Sequence, residues 1–318
     1  MPVISSEFRP PAFLRNGHVQ TILPVLLPRR VRSHMVRERL ELADSDFLDL
    51  DWLRGGHTRV AILCHGLEGS STQNYILGLA ATLQSAGWDV LAWNFRGCSG
   101  EPNRLLRAYH SGATEDLREV VSRAVRDYGT LALAGFSLGG NMVLKYLGEA
   151  PIHPTIVAGA AISAPIDLAA CARQLDERWT NRIYLRRFLV SLADKIEAKA
   201  QLFPGQLDSS GVRALQSFRE FDDRYTGPMH GFRDAADYWS QASARQFLPK
   251  IKVPTLLLQP KNDPFLAPSA YPWEEAAGNP HLFLEAPESG GHVGFLDLSN
   301  GLEPWSERRV ARFLDRHS

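Results

Sequence analysis

The chain has 318 residues, 44% of them hydrophobic and 22% charged, with 25 Gly and 20 Pro, a balance that belongs to a folded globular protein and excludes disorder, collagen and coiled coil. Thirty-five Lys and Arg against 35 Asp and Glu give a formal net charge of +0, so no long-range field gathers nucleic acid or an anionic membrane and any partner has to be recognised at a local site. Cys64, Cys98 and Cys171 form no C-x-x-C pair, which fits neither a disulfide framework nor a zinc site and predicts a reducing, cytoplasmic setting.

Arg9, Pro10, Pro11 and Arg15 interrupt the opening segment, which lacks the apolar centre of a signal peptide. The run Thr21 to Leu27 is broken by Pro24 and is far shorter than the ~20 residues that span a bilayer, so no membrane-spanning helix is expected. Residues 1–35 read as an N-terminal arm. Behind the run stand Arg29, Arg30, Arg32, Arg37 and Arg39. They read as a solvated edge, and the competing reading is a peripheral contact with acidic lipid headgroups.

From Val36 to Leu53 two strands flank Ala43-Asp44-Ser45, and the second alternates Phe47, Asp49 and Asp51 against Leu48, Leu50 and Trp52, the pattern of a hairpin at a sheet edge. Val60 to Cys64, Val90 to Phe95, Leu131 to Ala134, Ile156 to Ile162 and Thr255 to Leu258 are short apolar runs without alternation, as expected of parallel strands buried on both faces. Helical spacing separates them at Tyr75, Leu79 and Leu83, at Leu117 to Tyr128, and at Met142 to Leu147. Pro304 opens a last helix carrying Val310, Phe313 and Leu314. From about Leu168 to Lys250 no strand-like run occurs, only helical segments rich in Arg and aromatics. The predicted fold is α/β, a doubly wound, mostly parallel sheet, with a core of residues 36–167 and 251–318 and a helical cap inserted at 168–250.

Gly135-Phe136-Ser137-Leu138-Gly139 follows a buried strand and opens a helix. A strand reversing into a helix within about two residues forces unusual torsions and crowding, so glycines flank the central serine and its hydroxyl is thrust outward. A serine hydroxyl needs a general base, and the base needs an orienting acid. Among His153, His230, His281, His292 and His317, only His292 lies in a glycine-flanked loop, Ser289-Gly290-Gly291-His292-Val293-Gly294, beyond a strand-like run His281 to Glu285. Asp263 directly follows the strand Thr255 to Leu258, on the carboxyl edge where α/β ligand sites lie. Asp167 is its chief rival, Asp297 a weaker one, and a plain turn-forming role is the competing reading for Asp263. The developing oxyanion needs two N–H donors, expected from Leu138 and from Leu67 in Cys64-His65-Gly66-Leu67-Glu68-Gly69-Ser70. His65 has no partner at metal spacing and is expected to make structural hydrogen bonds.

Asn94-Phe95-Arg96-Gly97-Cys98-Ser99-Gly100 lacks both phosphate-binding glycine patterns, so no nucleotide is expected. Cys98 reads as a packed loop cysteine rather than a reactive thiol. In the cap, Trp179, Tyr184, Phe188 and Trp239 are candidates for an apolar acyl pocket, with ordinary packing as the competing reading.

Asn16-Gly17-His18-Val19-Gln20-Thr21, His65 to Ser70, Asn94 to Gly100, Tyr109-His110-Ser111-Gly112 and Gly135 to Asn141 together resemble the YheT-like branch of the α/β-hydrolase fold. The resemblance spans nearly the whole chain and implies a hydrolase with Ser137, Asp263 and His292 as its triad. That branch includes esterases, phospholipases acting on medium-chain or oxidised lipids, and acyltransferases forming ethyl esters. Some members carry an N-terminal membrane anchor, and none is expected here. The expected activity is cleavage of small-molecule acyl esters without metal or cofactor. An alcohol replacing water would make the chain an acyltransferase, and loss of the reaction would leave a binding module.

Overall fold

The computed structural model describes residues 3–27, 34–149 and 151–318. In chain order these form β1 (Val3–Ile4), α1 (Gly17–Leu26), β2 (Val36–Glu41), β3 (Phe47–Leu53), β4 (Arg59–Cys64), α2 (Asn74–Ser85) and β5 (Asp89–Asn94). Then follow α3 (Thr114–Ala124), β6 (Thr130–Phe136), α4 (Leu138–Gly148) and β7 (Ile156–Ile162). The helical stretch holds α5 (Leu168–Glu177), α6 (Arg182–Leu202), α7 (Phe218–Phe221), α8 (Gly227–Met229) and α9 (Ala235–Ala242). The chain closes with β8 (Thr255–Leu258), α10 (Trp273–Gly278), β9 (Leu282–Glu285) and α11 (Trp305–Arg316).

The strands make one sheet in the order β1-β9-β8-β7-β6-β4-β5-β3-β2, parallel except where β3 joins β5 and β2 joins β3. Its uninterrupted apolar runs serve two cores at once. Val60, Ile62 and Cys64 of β4 enter one hydrophobic cluster and Ala61 and Leu63 the other. Leu131 and Leu133 of β6 part in the same way from Ala132 and Ala134, because successive strand side chains point to opposite faces. Helices α3 and α4 cover the first face and α2 and α11 the second. Residues of the helical stretch form a third cluster around Leu185, Phe221 and Trp239, joined by Phe265.

The segment read as an N-terminal arm is part of the fold. Val3 and Ile4 extend the sheet beside Leu284 and Glu285, and no helix among the described residues is long and apolar enough to cross a membrane. At the far edge, register places Arg37 opposite Asp51 and Arg39 opposite Asp49, and each pair closes a fork of two hydrogen bonds of 2.8 to 3.0 Å. The two arginines read as a solvated edge are thus half committed to buried carboxylates. Arg29, Arg30 and Arg32 lie outside the described residues.

The loop after β5 is an internal brace. Arg96, with its side chain 2% exposed, makes a two-pronged bond to Asp116 and a 2.8 Å bond to Asp46, whose carboxylates are equally buried. Removing one partner of such a cluster leaves uncompensated charge in a low dielectric. Arg96→Met is therefore expected to lower stability by about 3–5 kcal/mol, read as a lower urea midpoint with an unchanged m value.

Candidate active site

Ser137 sits between β6 and α4 with no intervening loop. Its φ is 51°, a left-handed backbone that a residue with a Cβ adopts only under constraint. The constraint is visible: its N–H donates to the Ile162 carbonyl at 2.8 Å and its own carbonyl accepts the Asn141 N–H at 3.1 Å. A Cβ on Gly139 would fall 2.4 Å from the Cys64 and His65 carbonyl oxygens, so only glycine lets α4 start against the end of β4.

Asp263 follows β8, fully buried at its side chain, and accepts from His292 Nδ1 at 2.9 and 3.1 Å. His292 Nε2 lies 2.9 Å from Ser137 Oγ. With Nδ1–H donated to the carboxylate, Nε2 is the acceptor for the serine hydroxyl. The Phe265 N–H fixes the carboxylate at 2.9 Å, and the Phe265 ring lies 4.1 Å from the imidazole. Asp167 instead caps α5 through the Ala170 N–H, and Asp297 bonds Ser299; neither reaches His292.

The His292 loop is held from elements the sequence reading gave no role. Its own N–H donates to Thr21 Oγ1 at 2.8 Å, and the next N–H, of Val293, donates to Ser163 Oγ at 3.1 Å. Buried Gln20 exchanges two 2.8 Å bonds with the backbone of Leu296, and Asn262 ties the Gly291 N–H to the Arg15 carbonyl. The Thr21 and Gln20 bonds hang on α1, which Asn16 caps by accepting the His18 and Val19 N–H groups. An Asn before a helical run is a readable start signal, but a partner some 270 residues away is not.

Across the serine, the loop after β4 comes so close that a Cβ on Gly66 would lie 3.3 Å from Ser137 Cβ. Its N–H groups are nearly all taken: Gly66 donates to Tyr75 Oη, Glu68 to Tyr109 Oη and Gly69 to the Gly66 carbonyl. Among the described residues the N–H groups of Leu67 and Leu138 have no acceptor. His65 is structural: it bonds the Gly66 carbonyl through Nδ1 and accepts the Phe95 N–H at Nε2, and burial pushes its pKa down to about 3.

A model of the alpha/beta hydrolase fold family matches residues 60–297. The Escherichia coli (strain K12) protein YheT is 38% identical over 98% of this chain and 93% of its own. The chain belongs to the alpha/beta hydrolase fold family. The Mus musculus protein named phospholipase ABHD3 is 31% identical over 99% of this chain and 78% of its own. Among solved structures, the Pyrococcus furiosus esterase Pf2001 superposes with a TM-score of 0.59 at 18% identity, covering 90% of this chain and 92% of that one, a likeness of fold.

In this alpha/beta hydrolase, Ser137, Leu67, Leu138 and His292 open on a cavity of about 330 Å³ beneath the helical stretch. Phe188, Leu192 and Ile196, one turn apart on α6, form one wall, with Trp239 on another. Trp179 and Tyr184 do not line it. Trp179 is 80% exposed in the turn before α6. Tyr184 lies one turn before Phe188, with its ring against Phe265 and its hydroxyl 3.0 Å from His18 Nδ1. Cys98 is buried with Lys195 Nζ 3.0 Å from its sulfur, and burial pushes the thiol pKa up.

Asp222 lines the cavity, accepting from Trp239 Nε1 at 2.8 Å and Thr226 Oγ1 at 2.5 Å. Burial nonetheless pushes its pKa up to about 7. The folded chain then keeps a proton that the unfolded chain releases at about 4, so stability falls as pH rises from about 4 to about 7 and stays low above. Asp222→Asn is expected to raise the melting temperature at pH ~8 and to change it little at pH ~4, measured by differential scanning fluorimetry.

Proposed function

We propose that this protein is a serine esterase that cleaves carboxylic esters of apolar, lipid-like acyl chains. One observation carries the reading: the hydrogen-bonded line from Asp263 through His292 to Ser137, with links of 2.9 Å, ends at an apolar cavity.

Ser137 Oγ attacks the ester carbonyl carbon while its proton passes to His292 Nε2. The carbonyl oxygen takes the negative charge and accepts the free N–H groups of Leu67 and Leu138; loss of one such donor costs about 10²–10³ in rate. Asp263 keeps Nδ1 protonated and stabilises the imidazolium. His292 then returns the proton to the departing alkoxide, the C–O bond breaks, and an acyl ester remains on Ser137. Water repeats the cycle in reverse, giving the acid and the free hydroxyl. The aromatic and aliphatic walls hold the acyl chain by removing its surface from water, about 25 cal/mol per Å².

Ser137→Ala is expected to abolish labelling by a fluorophosphonate probe and to reduce turnover of p-nitrophenyl esters at least about 10³-fold, with Ser137→Ala/His292→Ala no slower than the single variant. Undiminished labelling of Ser137→Ala would overturn the reading. Thr21→Val removes the acceptor of the His292 N–H and loosens the imidazole without touching substrate. Its expected effect is a fall of about tenfold in kcat with KM within about twofold, since positioning is felt in the transition state; Thr21→Ser, which keeps the oxygen, is expected to restore kcat.

A further inference from the structure

Seven of the fourteen large hydrophobic side chains left exposed by the described residues fall on two neighbouring segments. Val19, Ile22, Val25 and Leu26 form a stripe along the outer side of α1, whose inner side carries Gln20 and Thr21 to the His292 loop. Phe13 precedes that helix, 69% exposed, and Trp179 and Ile183 stand at the entry to α6. The segments meet: His18 and Tyr184 stack in parallel planes with ring centres 5.8 Å apart, and His18, Arg178 and Thr180 line one shared hollow.

The charged side chains of these two segments are mostly cationic. Arg15, Arg178, Arg182, Arg186 and Arg187 meet no carboxylate among the described residues. Of the two acids on the same stretch, Asp176 is turned inward to the Phe218 and Arg219 N–H groups, which leaves Glu177. In a chain of net charge +0, this is a local excess. A second copy docking by the same face would bring like charges together, which disfavours self-association. Apolar side chains among unpaired arginines complement a surface that is greasy within and negative at its rim.

We propose that the outer sides of α1 and of the start of α6 form a docking face for an anionic phospholipid bilayer. The face lies on the reverse of the two elements that hold His292 and wall the cavity, so a docked molecule keeps its cavity next to the lipid. Binding does not require the reaction, and Ser137→Ala protein is expected to bind as well as the parent; docking and catalysis can therefore fail separately.

The test is co-sedimentation of the full chain with vesicles of phosphatidylcholine alone and of phosphatidylcholine with phosphatidylglycerol. Binding to the anionic vesicles is expected to be at least about tenfold tighter and to weaken with salt. Arg186→Glu/Arg187→Glu is expected to lose about tenfold in that affinity, and Leu26→Asp a comparable amount, both with unchanged circular dichroism and unchanged fluorophosphonate labelling. No sedimentation with either vesicle, or equal binding to both, would overturn the proposal. So would a concentration-dependent dimer in analytical ultracentrifugation that Leu26→Asp dissolves, since the face would then join two copies.

Discussion

A strand that becomes a helix at a single residue must bring three backbones into contact, and the packing at Ser137 organises what surrounds it. Gly139 seats the first turn of α4 on the carbonyls that end β4, which presses the Gly66–Leu67 turn against the serine. One half-turn on, Asn141 donates to the Ser111 and Ala242 carbonyls and accepts the Ala244 N–H, all within 2.9 Å. The same few residues thus aim the hydroxyl, leave two N–H groups beside it and bolt the helical stretch over the top.

The opposing half is built from sequence-distant pieces. Strained torsions gather on both sides of the site: Glu68, Ser137, Ser163, Val293 and Phe295 are five of the seven non-glycine residues with positive φ among those described. Such torsions persist where surrounding bonds over-determine them. Ser163 and Thr21 each spend a hydroxyl on the His292 loop, and a buried neutral His65 joins the loops after β4 and β5. The site is held by a mesh of satisfied hydrogen bonds.

Much of the sheet is legible because a strand buried on both faces has to be apolar, as β7 is and as β4 and β6 are beyond their first residues, Arg59 and Thr130. The hairpin is legible because Asp49 and Asp51 alternate with Leu48, Leu50 and Trp52. Ser137, Asp263 and His292 could be picked out by their places after strands and among glycines, and the fold brings those three side chains together. What stayed hidden depends on tertiary register. Val3–Ile4 is too short to show a period, and buried polar Gln20 and Thr21 blur the helical pattern of α1. Trp179 and Tyr184 are as aromatic as Phe188, but only the placement of α6 over the core decides which of them reaches the cavity. Arg37 and Arg39 look like solvated charge until β2 is set against β3.

The bond between Thr21 and His292 joins residues 271 positions apart, which orders events during synthesis. A growing chain completes the Ser137 turn long before the imidazole has been made, and α1 waits without its partner until His292 has been added. Domains gain structure as they leave the ribosome, but Ser137 has no imidazole beside it until β9 and the loop after it are released.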